Sequence, residues 1–249
     1  MTVCSLSFIS CGGDDDDEST SFENMEILSG SSATIKNGEN ISWTSKQSLI
    51  ASVSGNTVTG HIIGTTTISS TKGTFNVTVQ PANTLYDEPC LEWGASTTRI
   101  KSFMKSYTQM TGNNNNTSTE ALAYYGTKGA YMYGYLFSNN KLKSSIVFVK
   151  TYYVEALVKH LTERYVKVDS DDDHIYMIDI DKKTVVMVGT VKLNGTYYYA
   201  VLYNGYSNNT NKTTSLFTNA TRTTDIDTNK HEELMNALNA ELNKRPSSK

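Results

Sequence analysis

Asp169, Asp171 and Asp173 stand at alternate positions in one polar run, the spacing at which a calcium loop presents carboxylates to its ion. Such a loop also needs glycine at its sixth position for the sharp turn and glutamate at its twelfth as a bidentate ligand. Counted from Asp169, those places hold His174 and Ile180, so the run reads as a solvated connection between strands. The histidines, His61, His160, His174 and His231, are scattered without metal-ligand spacing, and His160 reads as a surface residue. No P-loop, dinucleotide fingerprint or Gly-x-Ser-x-Gly elbow is present, and no local motif marks the paired carboxylates of glycoside hydrolysis. Cys90, between Pro89 and Leu91, has the setting of a small buried hydrophobe rather than a nucleophile. The sequence therefore assigns no catalytic residue, no metal ligand and no cofactor.

Tyrosine is the residue type whose placement can carry recognition. Tyr131, Tyr133 and Tyr135 alternate along one expected strand and by the period of two share a face. Tyr197 and Tyr199 do likewise, with Tyr198 on the opposite side. Aromatic rings on an exposed sheet stack on the apolar faces of sugars and enrich protein interfaces, which makes these five residues a candidate ligand-binding surface. The competing reading packs them half-buried beneath helices, since tyrosine is a favourable strand residue.

The elements that must position these tyrosines are legible in the periodicity. Ile100, Phe103, Met104 and Tyr107 fall at i, i+3, i+4 and i+7 behind a cap at Ser96 or Thr97, one apolar helical face. Strands follow over Ala121–Tyr125, Tyr131–Phe137 and Leu142–Lys150, with Asn139-Asn140 as a tight turn. The order then repeats about sixty residues on. Val154, Leu157, Val158, Leu161 and Tyr165 form a second helical face, followed by strands His174–Ile180, Thr184–Leu193 and Tyr197–Tyr203 around an Asn194-Gly195 turn. A final helix over Asn229–Lys244 carries Leu234, Leu238 and Leu242. Residues 83–249 are thus expected as an α+β domain in which tandem units of one helix and three strands build an antiparallel sheet. Their topology is loosely similar to the β-lactamase-inhibitor-protein fold and to small outer-membrane lipoprotein modules. Residues 207–227, rich in Asn and Thr, read as an irregular loop.

A different pattern occupies residues 24–82. Ile41 and Trp43 alternate in one strand, Ala51-Ser52-Val53 and Thr57-Val58-Thr59 flank a Gly55-Asn56 turn, and Gly64 leads into Thr65–Ile68 before Phe75–Val79 closes the segment. This order resembles the bacterial immunoglobulin-like domain of group 2, a small all-β sandwich of surface and adhesion proteins. The resemblance implies a core containing Trp43, Val53, Val58, Ile68 and Val77, and a role as spacer or adhesive module. Proline at 81 ends the ladder.

Residues 3–10 are mostly apolar and end at Ser10-Cys11-Gly12-Gly13. A small residue before a cysteine, at the close of an apolar run, resembles a lipoprotein signal, which implies removal of the preceding residues and lipidation of Cys11. The run of acids at 14–18 repels itself and reads as part of a flexible tether over residues 12–23. It resembles the surface-export signal of some Gram-negative lipoproteins. A triacylated cysteine would be the link to a membrane, and an outer-membrane, cell-surface location follows from the resemblance.

The formal charge of −3 and a charged fraction of 19 %, without a basic stripe, argue against nucleic acid as a partner. With Cys4 removed and Cys11 lipidated, Cys90 would be the remaining thiol of the mature chain, so no internal disulfide is expected. The function expected is that of a surface lipoprotein which binds a glycan or a host or extracellular protein without catalysing a reaction. The alternative is an extracellular glycan-active hydrolase with an immunoglobulin-like accessory domain.

Overall fold

Short β-branched runs punctuated by Gly and Asn fold as strands throughout the first third of the described chain. The computed structural model describes residues 22–110, 120–206 and 228–243. The expected signal at 1–11 with Cys11, the acids at 14–18 and residues 207–227 lie outside the described residues. Among the described residues strand exceeds helix, 46 % against 18 %, about twice the strand share of an ordinary globular domain.

Residues 25–80 contribute β1 (Met25–Leu28), β2 (Ser32–Thr34), β3 (Thr44–Ser45), β4 (Ala51–Ser54), β5 (Thr57–Gly60), β6 (Gly64–Ser70) and β7 (Gly73–Gln80). One sheet runs β1-β7-β6-β3 and a second β2-β5-β4. Their apolar faces supply a shared cluster of Ile27, Ile50, Val58, Ile68, Phe75, Val77 and Val79, a sandwich-like arrangement. Phe75, Val77 and Val79 alternate along β7 with exposed or half-buried Thr and Asn, and burying each such side chain contributes about 1.5–3 kcal/mol. Of the expected core, Val58, Ile68 and Val77 are fully buried, whereas Trp43 and Val53 pack half-buried at the margin. Trp43 stands just ahead of β3, its indole N–H donating to Gly38 O at 3.2 Å and its ring edge-on to Phe22 and Phe75.

The later residues build one seven-stranded sheet. Its strands are β8 (Ala121–Tyr125), β9 (Ala130–Ser138), β10 (Lys141–Lys150), β11 (Val166–Ser170), β12 (His174–Ile178), β13 (Thr184–Leu193) and β14 (Thr196–Gly205), in the order β11-β12-β13-β14-β10-β9-β8. Every neighbouring pair is antiparallel. The expected repeat is visible in the meanders β8-β9-β10 and β12-β13-β14, which meet along β10 and β14. The second unit departs from expectation by one strand, since β11 adds an edge beyond β12. Asn139, Asn140, Asn194 and Gly195 all adopt positive φ, from 49° to 82°, the backbone a type I′ turn demands and the reason Asn and Gly occupy these hairpins.

Three helices, α1 (Thr97–Phe103), α2 (Val154–Thr162) and α3 (Thr228–Asn243), share a cluster with one sheet face. Ile100 and Met104, Leu157 and Leu161, and Leu234 and Leu238 join Tyr133, Tyr135, Val147, Val149, Val188, Tyr199 and Tyr203 there. Ser96 caps α1, its hydroxyl accepting from the Arg99 N–H. The opposite sheet face carries a separate cluster of Ile146, Met187, Val191, Tyr198, Ala200 and Leu202. Gly205 shows how closely the connecting segment before α1 lies on β14: a Cβ there would sit 2.9 Å from Trp93 Cγ.

The sandwich and the large sheet touch through a few bonds. The Ile63 N–H donates to Glu163 O at 2.8 Å, and Ile180 packs on the sandwich cluster. Asn83, in the connection between them, donates its backbone N–H to Glu163 Oε2 at 3.0 Å.

Candidate functional site

The five expected surface tyrosines separate into two environments. Tyr133 and Tyr135 lie in the main core at 1 % and 0 % exposure. The Tyr133 hydroxyl donates to Asp87 O at 3.0 Å, and Tyr135 donates to Met104 Sδ at 3.1 Å while accepting from the Cys90 N–H. Tyr199 is equally buried, its hydroxyl donating to Lys230 O at 3.1 Å, and Tyr197 is half-buried under the Lys192 ammonium. These four belong to the helix-covered face or its rim, which corrects their assignment to an exposed surface. Burial raises the pKa of Tyr133 and Tyr135 far above the ordinary phenol range, so both remain neutral donors.

Tyr131 differs, and the cause is a β-bulge. Val149 pairs with Ala130 and Phe148 with Met132, leaving Tyr131 as an extra residue in β9. A bulge breaks strict alternation. Ala130 consequently points into the main core, whereas Tyr131 turns to the other face and stacks on Tyr198, with centroids 4.6 Å apart and an interplanar angle of 27°. The expectation that Tyr131, Tyr133 and Tyr135 share a face is therefore corrected.

Register gathers further residues around this pair. Tyr125 pairs with Met132 and Lys150 with Tyr198. Both sit on the Tyr198 side of the sheet, in phase with Ala123 and Phe148. Tyr152, just beyond β10, is 67 % exposed and its ring faces the Lys150 ammonium at 5.9 Å. Tyr153 packs against it at 4.3 Å. Tyr125 and Tyr131 are 54 % and 41 % exposed. One end of the outer face thus presents solvent-facing phenol rings and an ammonium on strands of a continuous sheet, a rigid scaffold for stacking on a planar or ring-shaped ligand. Sequence periodicity missed Tyr125, Tyr152 and Tyr198 as members because the bulge that unites them leaves no compositional mark.

The densest electrostatic cluster lies elsewhere, and its centre is His160, which is completely buried rather than on the surface. The reason is the connecting segment before α1, which crosses the His160 side of α2. The Leu85 N–H donates to His160 Nδ1 at 3.3 Å and the Tyr86 ring packs at a tilt against the imidazole, centroids 4.1 Å apart. With Nδ1 accepting, Nε2 carries the hydrogen and faces Glu88 Oε1 at 3.1 Å. Arg164 Nε approaches the same oxygen at 2.9 Å. Neither nitrogen meets it with good hydrogen-bond alignment, so Glu88 is held by the charge of Arg164 and by the N–H dipole of the imidazole. The Arg164 Nη1 donates to Asn83 O at 3.1 Å and to His160 O at 2.9 Å, and Tyr165 donates to Glu88 Oε2 at 3.2 Å. Burial lowers the His160 pKa, with Glu88 opposing, so the imidazole is neutral. Each polar group serves to fasten the connecting segment onto α2.

A cleft of about 370 Å³ between sandwich and sheet is lined by Gln47, Ile63, Thr65, Arg164, Asp179 and Asp181. Its carboxylates are engaged in their own turn: Asp179 Oδ1 accepts from the N–H groups of Lys183 and Thr184, and Asp181 pairs with Lys183 at 3.0 Å. Asp171 likewise organises the polar run before β12, accepting from the backbone of Asp173 and His174 and from the Tyr176 hydroxyl. Among the described residues no group of three or more His, Cys, Asp or Glu is placed to hold a metal, and no helix is long and apolar enough to cross a membrane. Cys90 is buried and its thiol pKa is raised by that burial, which disfavours the thiolate a nucleophile needs.

No protein-family model, curated protein or solved structure matches this chain.

Proposed function

We propose that this chain is a non-catalytic binding protein of the bacterial cell surface, with glycans as the ligand class. The observation that carries the reading is the outer-face platform, in which Tyr131 stacks on Tyr198 beside exposed Tyr125 and Tyr152. Exposed phenol faces fixed on strands lose little entropy on binding and offer both stacking area and hydroxyls. The engaged state of Asp179, Asp181 and Asp171 supports binding over hydrolysis, because those carboxylates hold turns instead of converging on a shared cavity.

In this reading the chain has two parts. Residues 24–82 form an immunoglobulin-like spacer, and residues 83–249 form the recognition domain. Lipidation at Cys11 attaches the protein to the outer membrane, and the acidic tether of residues 12–23 directs it to the outer leaflet. The Ser10-Cys11 junction and the acids at 14–18 support this placement.

Two experiments test it together. Protease shaving of intact cells is expected to release the protein, and protection would place it inside the envelope. The released or recombinant chain is expected to bind selectively on an array of oligosaccharides and matrix proteins. An array without signal from any glycan would overturn the ligand assignment.

A further inference from the structure

We infer that the ligand at the outer-face platform is an acidic glycan, one bearing uronate or sulfate groups. This deepens the reading of the platform given above and rests on it. Four positions define the surface. Tyr125 and Tyr131 stand on the two strands at one edge of the sheet, Lys150 ends the next strand, and Tyr198 lies directly across from Lys150. Tyr152 extends the surface beyond Lys150.

The charged side chain at the platform itself is Lys150, whereas the acid seen on the same face, Asp171 bound to the Tyr176 hydroxyl, lies beyond β13 on the β11–β12 side. Lys150 is exposed and, among the described residues, forms no ion pair with a carboxylate. Its ammonium instead faces the Tyr152 ring at 5.9 Å, a cation–π contact that holds the group over the platform without neutralising it. The neighbouring lysine Lys128 is already satisfied by Asp87, which leaves Lys150 as the donor. Strands β8, β9, β10, β13 and β14 place no Asp or Glu on this face. The acid next along the chain, Glu155, lies in the first turn of α2. A neutral sugar would stack on the rings and leave the ammonium with water. A uronate or sulfated sugar stacks equally well and adds a charge-assisted hydrogen bond to Lys150, which is stronger than a neutral one. Charge complementarity therefore selects the acidic class.

Lys150 is solvent-exposed, so Lys150→Gln leaves the fold intact and reads the contact directly. The test titrates the full chain with polygalacturonate, with heparin oligosaccharides and with carboxyl-reduced polygalacturonate as the neutral control. The expected result is at least tenfold tighter binding to an acidic probe than to the neutral control. That preference falls about tenfold in Lys150→Gln, is retained in Lys150→Arg and weakens with added salt. Equal binding of acidic and neutral probes, or acidic binding that Lys150→Gln leaves unchanged, would overturn the acidic assignment while leaving the platform reading in place. Absence of binding to every glycan would overturn both.

Discussion

Tyr131 and Tyr133 are two residues apart in one strand and lie on opposite faces of the sheet. Tyr131 stacks on Tyr198 in the outer face, and Tyr133 is sealed in the helix-covered core. One inserted residue opposite Phe148 and Val149 separates them. The bulge takes the first tyrosine of the row out of the core, and its ring reaches across the end of β10 to the start of β14.

This difference predicts unequal costs for equivalent substitutions. Tyr131→Ala removes an exposed stacking partner and is expected to cost about 0.5–1.5 kcal/mol. Tyr133→Ala empties a fully buried position and is expected to cost about 3–5 kcal/mol. Urea unfolding of the two variants against the parent chain measures both. Similar losses would contradict the opposite-face placement.

Arg164 holds four groups at once: Glu88, Glu163, Asn83 O and His160 O. Replacing it with Met leaves Glu163, which is 6 % exposed, and half-buried Glu88 without their cation. Breaking such a buried pair costs roughly 3–5 kcal/mol. The Arg164→Met variant should also become more sensitive to proteolysis between residues 81 and 88, since Asn83 loses a bond there. A variant as stable and as resistant as the parent would show that the cluster does not fasten the segment.

His160 sets an acid limb of stability. Burial lowers its pKa in the folded protein, whereas the unfolded chain takes up the proton near pH 6.5. The contribution is therefore complete above that pH and is lost as pH falls below it, because the unfolded state then binds more protons. The urea midpoint is expected to drop between about pH 7 and pH 5.5, and His160→Gln should flatten that interval. Asp87, whose pKa Lys128 holds down, contributes a separate loss as pH falls below its unfolded value of about 3.9. An unchanged slope in His160→Gln would show that the imidazole is not what titrates.

The alkaline limb has the opposite sign. Burial raises the phenols of Tyr86, Tyr165 and Tyr203 well above their usual value. Stability is then complete below about pH 10 and lost as pH rises past it, since the unfolded chain releases those protons first. The phenolate absorbance of Tyr86, Tyr165 and Tyr203 should appear only as the chain unfolds, in step with the loss of structure. Phenolate from these three in the still-folded protein would contradict their burial.

Much of the large sheet was legible because its signals are local. Asn139-Asn140 and Asn194-Gly195 carry the positive φ that their turns require, and Leu157, Leu161, Leu234 and Leu238 fall at helical spacing and are buried. The failures share a tertiary origin. The bulge at Tyr131 depends on how β10 pairs, so no property of β9 alone reveals it. Strand β11 is a polar edge with its own register shift between Lys167 and Asp169, and so lacks clean alternation. His160 is polar by type and buried by a segment some seventy-five residues earlier in the chain. Phe103, apolar and on the expected face of α1, is instead 40 % exposed. The candidate surface was legible as a tyrosine-rich sheet, but not in its membership: Tyr131 belongs to it, whereas Tyr133, Tyr135, Tyr197 and Tyr199 do not.

Recognition by the tyrosine platform is tested by an affinity titration of the glycan selected on the array, run on the parent chain and on a Tyr125→Ala, Tyr131→Ala, Tyr152→Ala triple variant. These side chains are exposed, so the variant is expected to stay folded, with a urea midpoint lowered by little more than the Tyr131→Ala loss. Affinity is expected to fall at least tenfold with the fold preserved. Binding that survives the triple substitution unchanged would place recognition elsewhere and rule out the tyrosine platform as the binding surface.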